Sequence, residues 1–344
     1  MKTFFVGLEK KLVVIKEKVG KYTVATHLVG KKINRLAVDP QNKARIYAAT
    51  SNHGLWRTTD GGEQWERIGE ENGLECANIT SVAVSPIRRD DGKSVVYAGT
   101  EPSHLYYSED SGESWIEFKG IQEMPSKKNW RFPPRPETHY VRWITPSYSN
   151  GEHLAISIEA GAVLHTKDHG QTWIDRPEKS PIDVHTLLAH PNQRGYLYAA
   201  NGDGSSNPEK AHAESPDGGQ TWLYKSKGIE AHPYLYNMIL NSSSAEERLV
   251  SASASASKAH RKPRYSTIYR KIGEHPWIEI ADGLPREGAY THHLAEDPSK
   301  AGAYYALNNY GIYYLPIGKD RWEKLNIDTD IKIFGQRAYS FLVQ

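Results

Sequence analysis

Histidine, tyrosine and arginine stand in this chain where a proton donor, a proton acceptor and an anion clamp can meet. His139 with Tyr140, His185, Tyr236, and His292 with His293 each lie at the entry to an apolar, strand-like run, as do Asn34, Thr80 and Tyr339. A second set, including His53, His104, Glu159 and Arg264, follows the second strand-like run of its segment. An imidazole with an ordinary pKa of about 6.5 can take a proton near neutrality, and a tyrosine can return one. Arginine can grip a carboxylate or phosphate through two parallel hydrogen bonds. His139, Tyr140, His185 and His292 are therefore the candidate catalytic residues, with Arg135, Arg142, His53, His104, Glu159, Tyr236 and Arg264 as candidate ligand contacts. Imidazoles brought from separate segments can also hold a divalent transition metal, which makes His139, His185, His292 and His293 the candidate metal ligands.

These residues can meet only if the chain brings distant segments together, and a repeat supplies the means. Ser/Thr-x-Asp-x-Gly-x-x-Trp occurs four times, at 58–65, 108–115, 166–173 and 215–222, and two worn copies keep only the tryptophan, at Trp277 and Trp322. The six tryptophans are spaced by 50, 58, 49, 55 and 45 residues, the period of a four-stranded propeller blade. Within the motif, glycine tolerates a positive backbone angle and the Asp carboxylate can accept amides of its own turn, so these aspartates read as structural. Apolar and polar residues alternate between the boxes, as strands require.

The expected architecture is an all-β, seven-bladed propeller occupying 1–344 as one domain. Its blades are expected at about 33–72, 79–120, 140–177, 185–228, 236–282 and 292–327, the last combining 337–344 with 1–30. Pairing the two ends in one blade would leave no exposed sheet edge. The Ser/Ala alternation of 251–257 reads as a strand, followed by a basic insertion from Lys258 to Arg264. The longest entry loop carries three prolines among residues 133–136, which would hold Trp130, Arg131 and Arg135 with little entropy to lose.

The octapeptide resembles the Asp-box, or BNR, repeat. With Phe132–Pro136, Thr138–Ile144 and Asp183–Leu187, nearly the whole chain resembles the bacterial WD40/YVTN/BNR-like propellers, which are related to sialidase and sortilin-type repeats. The resemblance implies the fold but no one activity, since the repeat serves many. True sialidases carry an Arg-Ile-Pro motif ahead of the first box, and none precedes Thr58.

Composition narrows the field. A formal charge of +2 gives no general basic surface for nucleic acid, and one cysteine, Cys76, excludes an internal disulfide framework. No stretch approaches the roughly 18 apolar residues of a membrane helix, and the amino-terminal apolar run is too short for a signal segment. The reading is a cytoplasmic monomer with a small-molecule ligand, no nucleic acid and no membrane. Its activity would be that of a hydrolase or lyase on a polar or anionic small molecule or sugar, with or without a His-bound metal. The alternative is a non-catalytic scaffold that binds a protein partner.

Overall fold

The computed structural model describes residues 2–328 and 333–344; of the expected 1–344 span, residue 1 and residues 329–332 lie outside the described residues. The chain is a seven-bladed β-propeller. Seven antiparallel sheets follow one another, six with four strands and the third with three. Their first strands begin at Ile33, Ile79, Val141, Val184, Tyr234, His293 and Ala338. In the seventh sheet the carboxy-terminal strand Ala338–Val343 pairs with Thr3–Leu8, so both ends of the chain share one blade as expected. No helix among the described residues is long and apolar enough to cross a membrane.

Two compact units divide the chain, one of residues 30–198 and 215–222, the other of residues 1–29, 199–214 and 223–344. In the first, Ile79, Val82, Val96, Leu55 and Trp115 pack one core, and Val141, Ile156, Leu164, Phe118 and Trp173 pack another. In the second, Phe4, Val13, Leu307 and Val343 form one cluster and Leu249, Ile268, Tyr304 and Trp322 the next. Two box tryptophans, Trp115 and Trp173, belong to these cores. The indoles of Trp65, Trp115 and Trp222 donate to the carbonyls of Gly62, Gly112 and Gly219, which sit at φ 97°, 96° and 102°. That left-handed backbone is why glycine recurs there.

Two local expectations change. The strand expected over Ser251–Ser257 ends at Ser253, and Ser255 instead caps a short helix, Ala256–His260, by accepting the Lys258 amide. Period-two alternation of small residues fits a strand, but a serine hydroxyl that can satisfy a free amide ends it. The third blade keeps only a single bridge, His165 to Ile174, where a fourth strand was expected.

The first strands carry the feature that positions the polar residues. In blades one, two, three and five, the pairing skips one residue at the same place, leaving Asn34, Thr80, Arg142 and Tyr236 outside the ladder. Tyr339 is skipped likewise in blade seven. A bulge turns its side chain out of the alternation that would bury it in a sheet face. Asn34 donates to the Ile79 carbonyl at 2.7 Å, and Thr80 donates to that of Val141 at 2.8 Å, each reaching the first strand of the next blade.

Candidate functional site

In blade three the bulge presents Arg142. Its Nε lies 3.5 Å from Oε2 of Glu159 and donates to the His185 carbonyl at 3.4 Å, while Nη1 donates to the Tyr140 hydroxyl at 3.3 Å. Glu159 directly follows the second strand of blade three, Leu154–Ile158, and His185 lies at the start of the first strand of blade four. Nε2 of His185 stands 3.9 Å from Glu159 and 3.5 Å from Asp183. The Ala160 amide donates to Asp183 at 3.3 Å and holds its carboxylate toward the group. Glu159, Asp183 and His185 each offer one ligand atom, all within 4.8 Å of one another.

Burial makes this arrangement consequential. His185 is 2% exposed and Glu159 8% exposed, yet Oε2 of Glu159 accepts no hydrogen bond. A buried acceptor without a hydrogen bond is costly, and although the Arg142 guanidinium offsets part of that at 3.5 Å, the oxygen retains room to accept from a hydroxyl or a water.

The wall expected from the proline-rich loop adjoins this group through aromatic contact. The Phe132 and Tyr140 rings meet edge to face at 5.2 Å, and the Arg135 guanidinium lies 5.3 Å from the Phe132 ring centre. Arg135 pairs with Glu101 at 2.7 Å. Trp130 is buried, donates to the Ser126 hydroxyl and sets its ring against His139 at 5.5 Å. Burial, with Lys127 and His104 nearby, lowers the His139 pKa; its Nδ1 accepts the Ser103 amide at 3.4 Å. His104 contacts Glu117 at 2.6 Å, and the exposed His53 bonds the Ser51 carbonyl of its own turn.

The remaining expected residues belong to the other unit, where each has structural partners. His292 is fully buried, with the Ser266 hydroxyl at 2.9 Å from Nδ1 and the Asn308 amide at 3.1 Å from Nε2. Burial pulls its pKa down to about 3, so it is a neutral ring with both nitrogens engaged. His293 donates from Nε2 to the Ala338 carbonyl at 3.0 Å. Tyr236 accepts from Arg337 and lies against the His260 and His293 rings. Arg264 donates to the Gly288 carbonyl and lies over Tyr290 at 4.1 Å. Of the four histidines expected around a metal, only His185 is grouped with carboxylates at ligand distance.

Thus Tyr140, Arg142, Glu159 and His185 come together as one group. Asp183 joins them and was not singled out, although its spacing contains the signal: residues two apart on an extended segment share a face, so Asp183 accompanies His185.

Comparison with known proteins bears on the fold. No family model matches the chain, and no curated protein does. Among solved structures, an ancestral GH74 enzyme has a TM-score of 0.65 and 15% identity, covering 87% of this chain and 39% of its own length. The GH74 xyloglucanase from Xanthomonas campestris has a TM-score of 0.64 and 15% identity, covering 98% and 52%. YCF48 bound to D1 peptide has a TM-score of 0.59 and 15% identity, covering 88% and 83%. The chain therefore spans only part of the GH74 structures, and these likenesses are of fold.

Proposed function

We propose that the chain is a sugar-acting hydrolase whose site is the Tyr140, Arg142, Glu159, Asp183 and His185 group. The observation that carries this reading is the buried Oε2 of Glu159, which accepts no hydrogen bond and has a second carboxylate and an imidazole beside it, with the Tyr140 phenol bonded to the Arg142 that pairs with it. A sugar hydroxyl is a donor of the right size for it. The charges favour a neutral sugar over an anionic one. Arg142 and Arg135 already face Glu159 and Glu101, and Asp183 adds a third carboxylate.

Two carboxylates are the minimal equipment for cleaving a glycosidic bond. Separations of about 5–5.5 Å go with a nucleophile and retention, whereas about 6.5–9.5 Å leaves room for an inverting water. The ligand oxygens of Glu159 and Asp183 lie within 4.8 Å, which supports retention. Glu159, beside the guanidinium, is assigned as nucleophile. Asp183, the more exposed, is assigned as the acid that protonates the leaving oxygen and then the base for water, with His185 orienting both. Tyr140 is held by Arg142 to hydrogen-bond the sugar.

The fold likeness to a GH74 xyloglucanase is consistent with this reading without establishing it. The test is incubation with neutral and uronic-acid oligosaccharides, followed by reducing ends, with and without a chelator. Cleavage of a neutral oligosaccharide that survives chelation and is lost in Tyr140→Phe and Glu159→Gln supports the proposal. Cleavage that requires added divalent metal would instead assign Glu159, Asp183 and His185 as metal ligands.

A second reading is favoured by one comparison. YCF48 bound to D1 peptide is matched over 83% of its own length, far more than the GH74 enzymes, so a peptide-binding scaffold is the alternative. Absence of cleavage, together with a stable protein complex in pull-down, would favour it.

A further inference from the structure

A second pocket lies between blades three and four, at the turns that follow their first strands. It is lined by Tyr148, His153, Leu154, His165, Lys167, Arg194 and Leu197, among others. Its distinguishing residue is His165, which sits in the strand Ala162–Thr166, is 2% exposed, and has no hydrogen-bond partner on either ring nitrogen. Buried polar groups are nearly always matched, so an imidazole with two unmatched nitrogens on a pocket wall calls for an occupant.

The wall indicates the chemistry of that occupant. No aspartate or glutamate lines the pocket, while Lys167 and Arg194 do, and neither has an ion-pair partner among the described residues. The nearby carboxylate, Asp217, is engaged by its own turn, accepting the Gln220 and Thr221 amides and the Ser215 and Thr221 hydroxyls. Other polar wall groups are committed: Thr145 donates to the Leu187 carbonyl, and Thr166 donates to Asp168. Burial, with Lys167 nearby, brings the His165 pKa down to about 4, so at neutral pH the ring is uncharged, with one N–H to donate. Leu154, Leu197 and the Tyr148 ring provide an apolar floor. The volume is about 40 Å³, room for roughly three water molecules, which limits the ligand to a few heavy atoms.

We propose that this pocket binds a short-chain organic carboxylate, its head taken by the His165 N–H between Lys167 and Arg194 and its alkyl end laid on Leu154 and Leu197. The site is separate from the Glu159 group and does not depend on the function assigned there.

The experiment is an NMR titration of the full chain, labelled at histidine ring nitrogens, with acetate and butyrate, and with acetamide as the neutral isostere. The proposal predicts a saturable shift of the His165 resonances with both carboxylates. Affinity should be at least about tenfold lower for acetamide, about 1.4 kcal/mol. Arg194→Ala, a substitution at an exposed strand position, should weaken acetate by about the same factor, and His165→Phe should abolish its binding while leaving the melting temperature equal or higher. Unmoved or unsaturable His165 signals would overturn the proposal, as would acetamide binding as well as acetate or an Arg194→Ala variant indistinguishable from the parent.

Discussion

The box aspartates and the carboxylates of the Glu159 group occupy one fold and are held in opposite ways. Asp110 accepts the Ser108 hydroxyl at 2.7 Å, the Glu113 and Ser114 amides at 3.0 and 2.9 Å, and the Ser114 hydroxyl at 2.6 Å, all from its own eight residues. Asp60 and Asp217 repeat the pattern within their own boxes. Glu159 draws on residues from two other segments, Arg142 and His185, and retains an oxygen with no hydrogen bond. A carboxylate satisfied by its neighbours in sequence shapes a turn. One assembled from afar, with an ion pair but no hydrogen bond on one oxygen, is available to a ligand.

The comparison breaks most sharply under isosteric substitution. Glu159→Gln should reduce turnover of the sugar substrate by at least about a hundredfold while leaving the fold intact, as a steady-state assay beside a circular-dichroism melt would show. Asp110→Ala should do the reverse, costing about 1–2 kcal/mol in denaturant unfolding with turnover unchanged.

Acid sharpens the contrast within the scaffold. Burial opposes ionisation of Asp110, but hydrogen bonds from Ser114, Ser108 and Glu113 outweigh it and hold the pKa at about 2, below the unfolded value of about 3.9. Its contribution is present above about pH 4 and lost as pH falls through about 2. His292 is also depressed, to about 3 by burial, so the unfolded chain gains protons first, and stability falls as pH drops from about 6.5 to 3. Asp110→Asn should flatten only the lower part of an acid-unfolding curve and His292→Asn the upper part. The smallest effect belongs to His53→Ala. Exposed and bonded within its own turn, it should change stability by less than about 0.5 kcal/mol and turnover not at all.

What could be read from the chain follows the same division. The turns, the seven blades and the sharing of the last blade by both ends were legible because eight contiguous residues encode each box and the period is regular. Tyr140, Arg142, Glu159 and His185 were legible as entry and loop residues, since position within a blade decides which end of a strand a side chain occupies. His292 and His293 were less so. Adjacent residues on a strand face opposite sides, and their partners Ser266, Asn308 and Ala338 lie far away in sequence. His165 carries no sequence signal, because nothing in its neighbours shows that both ring nitrogens would be buried without partners.

The most direct measurement is the anomeric configuration of the first product, followed by proton NMR as the wild-type protein cleaves a neutral oligosaccharide in chelator. The account predicts net retention, absent in Glu159→Gln. Inversion, or a neutral oligosaccharide panel left intact, would contradict it.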